Sequence, residues 1–291
     1  MKYAYFPGCS AHSTARDMHE SSIAVAKVLG IDLEEIKGWT CCGATAAHQT
    51  DKVLAVSLAA ANLGVAKTMG MDVVVNCAAC YNRFKTANYE VKNSPIMRDQ
   101  VSKILGYTYD GSVPIRHFIE ILLQDVGSAR LRKSIKRNLN GLKVACYYGC
   151  YLVRPHDITQ FDDPENPTSM EKLIDLMGGE SLEWSGKVDC CGGGLNLTQT
   201  DITIERSKAV IDMAIDAGAE CIAVVCPMCQ ASLDIRQVDI AKATGKKYDM
   251  PIVYITQLLG LCLNIPEKEL GFKRLMTPAD SVFKAVGINS R

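Results

Sequence analysis

The sequence predicts an α/β protein made of two pseudo-twofold-related, Rossmann-like halves, each with three layers and a parallel sheet. Short apolar runs rich in β-branched residues alternate with longer segments of helical periodicity, as in parallel βαβ units. The same order of elements starts again near residue 142. Cysteines follow predicted strands in both halves, at the edge where open α/β sheets bind ligands. The 291 residues suit two domains, which we expect to span residues 1–140 and 141–291.

The first half begins with a strand and alternates from there. Strands are predicted over residues 2–6, 32–36, 72–76 and 113–118. Helices are predicted over residues 17–29, 51–69, 78–88 and 119–126. The run from Asp72 to Asn76, with three valines between them, is typical of a strand buried on both faces of a parallel sheet. Residues 128–140 are basic, and we interpret them as a solvated linker or helix face in preference to a partner-docking surface.

The second half repeats this order with one insertion. Strands are predicted over residues 142–147, 221–225 and 250–255, and helices over residues 170–177, 201–217 and 256–263. Residues 181–184 precede the second cysteine pair. Between Cys150 and Cys190 lie 39 residues, against 31 between Cys9 and Cys41. The excess fits a proline-broken loop over residues 154–168, which we expect to shape a substrate pocket.

Ten of the thirteen cysteines form two matching sets of five. The first set is Cys9, Cys41, Cys42, Cys77 and Cys80, and the second set is Cys150, Cys190, Cys191, Cys226 and Cys229. The Cys-Cys-Gly element recurs after 149 residues, and in both halves 34 residues separate its cysteine pair from a CxxC element. Adjacent cysteines form a strained disulfide with each other, but they can direct two thiolates at one compact inorganic target. The duplication therefore predicts two metal sites.

Three interpretations of these cysteines compete. Cysteines can simply be small residues of the hydrophobic core, and this interpretation suits Cys146, Cys221 and Cys262, which lie in apolar runs. It does not explain two matching sets of five. A zinc site takes four ligands and leaves one thiolate of each set unused. Iron–sulfur ligation uses thiolates alone, and a CxxC at a helix N-terminus favours the thiolate form. Five thiolates from three strand ends favour a larger or more open cluster than a cubane.

Composition excludes several other functions. Lys plus Arg and Asp plus Glu number 32 each, so the bulk charge does not favour binding to nucleic acid or to a membrane surface. The N-terminus lacks the apolar core of a signal peptide, and no run approaches the ~20 apolar residues of a membrane span. Cysteine-rich metal ligation suits a reducing compartment. We therefore expect a soluble, cytoplasmic protein without a membrane span.

At these motifs the chain resembles the CCG-domain family of cysteine-rich proteins, and within it the B subunits of the CoB–CoM heterodisulfide reductases of methanogenic archaea. The resemblance rests on the opening Tyr5-Phe6-Pro7-Gly8-Cys9, both Cys-Cys-Gly elements, the run 113–118 and Cys226-Pro227-Met228-Cys229, and it covers nearly the whole chain. It implies that each set of five cysteines holds a non-cubane [4Fe–4S] cluster, in an archaeal protein of methanogenesis.

The resemblance also implies partners. Proteins of this kind receive electrons from a flavin-bearing A subunit through a ferredoxin-like C subunit, with a hydrogenase or formate dehydrogenase upstream. Other family members serve glycolate oxidases and glycerol-3-phosphate dehydrogenases, and commonly carry a fused ferredoxin module or have lost cysteines from one set. This sequence contains no such module and keeps both sets.

The expected function is reduction of the coenzyme M–coenzyme B heterodisulfide to its two thiols, as the catalytic subunit. Disulfide reduction takes two electrons, and two facing clusters could deliver one to each sulfur, which gives the duplication a chemical reason. The sequence shows no flavin fingerprint that would supply both electrons. The alternative is an electron-relay subunit of another oxidoreductase, without substrate chemistry of its own.

Both ends of that substrate are anionic, so basic side chains near the cysteines are candidates for binding it. The candidates are His12, Arg16, Arg83, His117, Arg154 and His156. For each one, a surface or packing role is the competing interpretation. We expect no catalytic side chain apart from the clusters.

Overall fold

The structure is a computed structural model that describes residues 1–44 and 46–288. The described residues form two four-stranded sheets in which every pairing is parallel. The first consists of β1 (Lys2–Phe6), β2 (Asp32–Glu35), β3 (Val73–Val75) and β4 (Ile115–His117) in the order β2-β1-β3-β4. The second consists of β5 (Lys143–Tyr147), β6 (Glu180–Ser181), β7 (Cys221–Val224) and β8 (Ile252–Tyr254) in the order β6-β5-β7-β8. The predicted fold class is confirmed.

Helices cover both faces of each sheet. In the first half they are α1 (Arg16–Val28), α2 (Ala47–Thr50), α3 (Lys52–Met69), α4 (Ala78–Asn93), α5 (Pro95–Leu105), α6 (Phe118–Glu120) and α7 (Gly127–Ser134), with a π-helical turn over Ile121–Val126. In the second half they are α8 (His156–Thr159), α9 (Ser169–Leu176), α10 (Thr200–Asp216), α11 (Pro227–Ile235), α12 (Gln237–Thr244), α13 (Ile255–Cys262) and α14 (Asp280–Ala285).

The central strands are buried as their composition predicts. Val73, Val74 and Val75 of β3 have no exposed surface, and β7 is equally buried. Helix α3 begins and ends where the sequence indicates: Asp51 caps it by accepting the Leu54 N–H at 2.6 Å, and Gly70 closes it with φ +64°. The strands therefore end together at one edge of each sheet, where the cysteine segments begin.

Several elements differ from the predictions. Helix α4 runs to Asn93 instead of ending near residue 88, and α5 follows at once because Ser94 caps it and Pro95 occupies its first turn. Part of the basic segment 128–140 is helical, as α7. The inserted loop 154–168 contains the short helix α8, and α12 and α14 were not predicted. The domain boundary at residue 140 stays a prediction.

The two halves pack directly on each other. Helix α1 lies against α13, where the Ser21 and Thr256 hydroxyls share a 2.7 Å hydrogen bond. The Asn82 amide on α4 donates to the carbonyl oxygens of Tyr151 and Arg154, at 3.0 and 2.8 Å. These bonds tie the first CxxC helix to the segment that follows Cys150, so the C-terminal edges of the two sheets face each other.

Helix α3 is the one described helix whose length and composition would suit a membrane span. Core helices of water-soluble proteins meet the same criterion. In this fold α3 packs on α4 and α5, and Ala59, Ala60 and Leu63 have no exposed surface. These buried side chains thus have partners within the protein, whereas Leu54 and Val65 of the same helix are exposed.

A buried ion pair anchors the inserted loop. Lys187 and Glu171 have side chains only 3% and 8% exposed, and the Lys187 Nζ lies 2.9 Å from Glu171 Oε1. The same ammonium group donates to Asn166 Oδ1 at 2.8 Å, and the Tyr148 hydroxyl donates to Glu171. The Lys187 carbonyl accepts the Tyr148 N–H at 2.8 Å. One lysine therefore connects the loop, α9 and the end of β5, directly before Cys150.

Candidate functional site

The strand ends position the cysteines. A 3₁₀ turn that begins at Cys9 follows β1, and Cys77 is the N-cap of α4 directly after β3. Cys226 is the N-cap of α11 in the same way. The Cys-Cys-Gly segments lie in the loops after β2 and β6. Each CxxC thus places its thiols at the N-terminus of a helix, the positive end of the helix dipole.

The first set of thiols is compact. Cys42 Sγ lies 3.1 Å from Cys80 Sγ, and the Gly43 N–H donates to Cys41 Sγ at 3.4 Å. Cys42, Cys77 and Cys80 are buried, whereas Cys9 and Cys41 are exposed. The set is therefore closed on the core side and open toward solvent.

The second set repeats this geometry. Cys191 Sγ lies 3.6 Å from Cys229 Sγ, and the Gly192 N–H donates to Cys190 Sγ at 3.4 Å. Cys191, Cys226 and Cys229 are buried, Cys190 is exposed and Cys150 is half-buried. The sequence repeat is thus also a repeat in space.

The two sets meet between the halves. The Cys77 and Cys226 side chains lie close enough to act on each other, and interaction with Cys226 raises the pKa of Cys77 well above its ordinary value. Hydrogen bonds from Cys229 and Cys77 hold the pKa of Cys226 well below its ordinary value. We call this contact the thiol junction. It brings the first set next to the second set.

Hydrogen bonding within the sets stabilises some thiolates. Bonds from Cys41 and Cys80 hold the pKa of Cys42 well below its ordinary value. A bond from Cys150 lowers the pKa of Cys190 to about 6, with help from the Gly192 N–H. Their partners hold the proton instead, because the same interactions raise the pKa of Cys41, Cys80 and Cys150. The thiolate is the form that ligates metals, so each set contains at least one thiol prepared for metal binding.

The shape of each set fits an iron–sulfur cluster. A Cβ added to Gly8 would lie 3.3 Å from Cys80 Sγ, and one added to Gly149 would lie 3.0 Å from Cys229 Sγ, so the glycines leave room beside the thiols. Within residues 1–44 and 46–288, no three His, Cys, Asp or Glu side chains converge on a point that could hold a single ion. Five soft donors with backbone N–H groups directed at sulfur suit a polynuclear cluster.

Gly149 provides a direct test of this fit. Gly149→Ala is expected to lower the iron content by about half, because its methyl group would press on Cys229 Sγ. Gly141→Ala is the matched control: Gly141 also has positive φ, +76° against +65°, but nothing lies within 4 Å of its added Cβ. In both variants an alanine adopts a positive φ, which costs about 1–2 kcal/mol of backbone strain. Iron analysis of the purified variants checks the difference, and equal iron in both would contradict the fit.

A cavity of about 160 Å³ borders the second set. Tyr148, Tyr151, Leu195 and Met228 form much of its wall, with the thiols of Cys150, Cys190, Cys191, Cys226 and Cys229. Gly192, Gly193 and Gly194 also line it, and Gln49 and Ala78 are its two residues from the first half. The four wall residues all lie beside or within the cysteine motifs of the second half, whereas Gln49 and Ala78 reach the cavity only when the halves pack.

Among the candidate substrate residues, Arg83 lies between the two sets. Its guanidinium stacks 5.8 Å from the centre of the Tyr151 ring, and its charge helps to lower the pKa of both Cys42 and His48. Its Nε is buried without a partner among the described residues. Arg83 thus combines a free donor with a position near the cavity.

The other candidates are placed differently. His12, at the end of the turn that begins at Cys9, stacks on Trp39, and Arg16, the first residue of α1, forms an ion pair with Glu20. Both residues are exposed. Arg154 forms an ion pair with Glu165, and His156 is exposed at the start of α8. His117 is buried, with Nε2 3.0 Å from the Asn76 carbonyl oxygen, and burial lowers its pKa to about 4. A neutral, enclosed His117 faces the core.

Comparison with known proteins agrees with this geometry. The cysteine-rich domain (CCG) family model matches residues 3–85 and 144–234, one match in each half. The 8-methylmenaquinol:fumarate reductase membrane anchor subunit of Wolinella succinogenes is 33% identical over 93% of this chain and 95% of its own. The B subunit of the ferredoxin/F420H2-dependent CoB–CoM heterodisulfide reductase of Methanosarcina acetivorans is 30% identical over 94% of this chain and 93% of its own.

A solved structure extends the likeness in fold. The crystal structure of a hypothetical protein from Helicobacter pylori superposes with a TM-score of 0.75 over 95% of this chain and 52% of its own, at 12% identity. The family match and the reductase relatives indicate iron–sulfur clusters and a role as one component of a multi-subunit oxidoreductase. With one family match on each half and ten cysteines in two matching sets, the chain belongs to the cysteine-rich (CCG) domain family.

Proposed function

We propose that this chain is the catalytic subunit of a heterodisulfide reductase, which reduces the coenzyme M–coenzyme B heterodisulfide to two thiols. The overall change breaks one S–S bond, takes up two electrons and two protons, and releases two thiols. The observation that carries the proposal is the spatial repeat of the two sets, with Cys42 Sγ 3.1 Å from Cys80 Sγ in one and Cys191 Sγ 3.6 Å from Cys229 Sγ in the other. When bound, two non-cubane [4Fe–4S] clusters would supply one electron each to the two sulfur atoms.

The chain's own residues would hold the two clusters and limit the access of water. Cys9, Cys41, Cys42, Cys77 and Cys80 would hold one cluster, and Cys150, Cys190, Cys191, Cys226 and Cys229 the other. The aromatic and apolar wall of the cavity at the second set keeps water from the reacting sulfurs. A drier site strengthens charge–charge interactions and so helps to bind an anionic substrate.

Arg83 would bind one anionic end of the substrate. Its guanidinium has an unpartnered buried donor and lies beside Tyr151 of the cavity wall. Arginine binds carboxylate, sulfonate and phosphate oxygens with charge-assisted hydrogen bonds. His12, Arg16, Arg154 and His156 stay candidates for the opposite end, and His117 is better suited to packing.

The proposed complex follows from the same function. A ferredoxin-like C subunit, fed by a flavin-bearing A subunit, would deliver electrons, with a hydrogenase or formate dehydrogenase upstream, in the cytoplasm. The names of two Methanosarcina relatives, which include ferredoxin as electron donor, support an external source of electrons. In such a complex the chain itself needs no flavin.

The test is thiol production by the isolated chain. The purified, iron-loaded protein, given a low-potential chemical reductant and the heterodisulfide, is expected to release two thiols for each two electrons consumed. Thiol titration against reductant consumption measures this ratio. Reductant oxidation with no thiol release would contradict the proposal.

The variant Arg83→Gln tests whether Arg83 binds the substrate. Loss of a charge-assisted hydrogen bond of about 1.5–3 kcal/mol is expected to raise KM for the heterodisulfide roughly 10- to 100-fold. Arg132→Gln, a change at an exposed arginine on α7, is the control and should leave KM unchanged. An unchanged KM in Arg83→Gln would remove Arg83 from the substrate site.

A second candidate function is an electron-relay subunit without substrate chemistry. Its support is the 33% identity, over 93% of this chain, to the membrane anchor subunit of a fumarate reductase. In that role electrons would pass from one cluster to the other across the thiol junction. The same assay separates the two functions, because a relay accepts electrons from the reductant and yields no thiols.

A further inference from the structure

Asn82 uses both ends of its side-chain amide between the halves. It lies on α4, two residues after Cys80, and has no exposed surface. Its Nδ2 donates to the carbonyl oxygens of Tyr151 and Arg154, at 3.0 and 2.8 Å, and its Oδ1 accepts from Arg83 at 2.5 Å. Carbonyl oxygens can only accept and a guanidinium can only donate, so the three partners fix the orientation of the amide. One buried side chain therefore joins an arginine of the first half to a turn of the second.

That turn begins at the second set of cysteines. The Arg154 N–H donates to the Cys150 carbonyl oxygen at 3.0 Å, so the turn closes on a residue of the set. Asn82 bonds the carbonyl of Tyr151 at the start of the turn and that of Arg154 at its end. Bonds at both ends leave the turn little freedom to move relative to α4. Asn82 therefore holds Arg83 and the second set in a fixed relation.

Arg83 depends on Asn82 for its position. Among the described residues, the Asn82 Oδ1 is its hydrogen-bond partner and the Tyr151 ring is its stacking partner, while its Nε is buried without a partner. A long side chain loses rotamer freedom when it is ordered, so a residue that orders it before a ligand arrives lowers the cost of binding. Asn82 supplies this order from outside the cavity, since it is not among the lining residues.

The second half has no equivalent of this bridge. Ala231 is the counterpart of Asn82, and Ser232 is the counterpart of Arg83. A methyl group forms no hydrogen bonds, so the bridge exists on one side of the interface alone. It gives one end of a bound molecule a fixed positive charge that the other end does not receive from the equivalent position.

We propose that Asn82 is a positioning residue that fixes the Arg83 guanidinium beside the cavity, and so governs how tightly one anionic end of the disulfide is bound. The inference rests on the proposed function, in which Arg83 binds that end. Asn82 acts through Arg83 and is not a lining residue of the cavity. Its loss should therefore weaken binding without slowing the reduction of bound substrate.

The test is Asn82→Ala in the full, iron-loaded chain, with the heterodisulfide as the probe. Calorimetry without reductant measures the dissociation constant, which is expected to rise about tenfold because the free guanidinium must then be ordered during binding. With reductant, KM should rise by a similar factor while kcat changes less than about twofold. The double variant Asn82→Ala with Arg83→Gln should bind no more weakly than Arg83→Gln alone, since the two residues act as one unit.

Asn88→Ala is the matched control. Asn88 lies on the same helix, donates to the Val113 carbonyl oxygen at 2.7 Å and accepts from the Tyr109 hydroxyl at 2.7 Å, all within the first half. Its replacement should lower the stability of the protein, as Asn82→Ala does, but leave the dissociation constant unchanged. An equal rise in both variants would overturn the inference, because a general loss of stability would then explain it.

Wild-type binding separates this inference from the proposed function. A wild-type chain that does not bind the heterodisulfide would overturn the proposed function and, with it, the inference. Weaker binding in Arg83→Gln but unchanged binding in Asn82→Ala would overturn the inference alone, and so would additive losses in the double variant.

Iron content and a second variant complete the test. Asn82 forms its hydrogen bonds with Tyr151, Arg154 and Arg83, so Asn82→Ala should keep the iron of the wild type. Loss of iron together with binding would assign Asn82 to cluster assembly and overturn the inference. If Asn82→Ala does not fold, Asn82→Ser replaces it, because a hydroxyl can still donate to one of the two carbonyl oxygens. The same rise in the dissociation constant is expected, and wild-type binding in Asn82→Ser would overturn the inference.

Discussion

Replacing Cys41 by serine is expected to remove about half of the bound iron and to reduce thiol production at least about 100-fold. Mutation of groups that merely support metal ligands costs about 10- to 100-fold, and loss of a ligand should cost more. Cys41 is exposed, so the change leaves the core intact. One remaining cluster would deliver single electrons to a reaction that needs two. Iron analysis and the thiol assay on the same preparation measure both effects.

Cys262→Ala is the control for that experiment. Cys262 is buried in α13 and belongs to neither set, so this variant should keep its iron and its activity. Full turnover in Cys41→Ser after loss of half the iron would show that one set suffices. Zinc in both sites of the wild-type protein would overturn the iron–sulfur assignment itself.

Lys187→Met is expected to give the largest loss of stability, about 3–5 kcal/mol in the free energy of unfolding. The substitution leaves the Glu171 carboxylate buried with its charge uncompensated. Burial already raises the pKa of Glu171, and the hydrogen bonds from Tyr148 and Lys187 oppose that shift. Because Lys187 also holds the loop 154–168, we expect protease cleavage in that loop before global unfolding. Urea unfolding and limited proteolysis measure the two effects.

Two further variants test whether the loss of stability in Lys187→Met comes from the burial of its ion pair with Glu171. Lys208→Met breaks an ion pair with Asp212 whose side chains are 40% and 36% exposed, and it should cost less than about 1 kcal/mol. The double change Lys187→Met with Glu171→Leu should recover much of the stability, since it leaves no unpaired charge. A loss in Lys187→Met no larger than that in Lys208→Met would contradict this account.

Local patterns predicted the sheets and the order of the cysteines. The three valines of β3 and the apolar run of β7 reveal strands buried on both faces without reference to the rest of the chain. The Cys-Cys-Gly and CxxC elements recur with the same spacing, so the two sets are visible in the sequence alone. These features depend on neighbours in sequence, which is why they could be predicted.

Features that depend on how the halves pack could not be predicted. The thiol junction needs α4 and α11 to face each other, and no spacing encodes that contact. Lys187 lies in an irregular segment without periodicity, so nothing distinguishes it from a surface lysine. The hydrogen bond between the Ser21 and Thr256 hydroxyls joins residues 235 positions apart. Such contacts are decided by tertiary packing.

Cys77 and Cys226 occupy equivalent positions in the two halves, and they interact with each other. In a twofold arrangement a residue meets its own counterpart only at the symmetry axis. A site centred on that axis presents the same sulfur atoms to a ligand in either of its two orientations. Such a site cannot select one orientation of a molecule whose two ends differ. Orientation must come from positions where the copies have diverged, such as Arg83, whose counterpart is Ser232, and the loop 154–168. Exchanging the residues at these diverged positions between the halves should change the orientation in which a ligand binds, while the thiols stay in place.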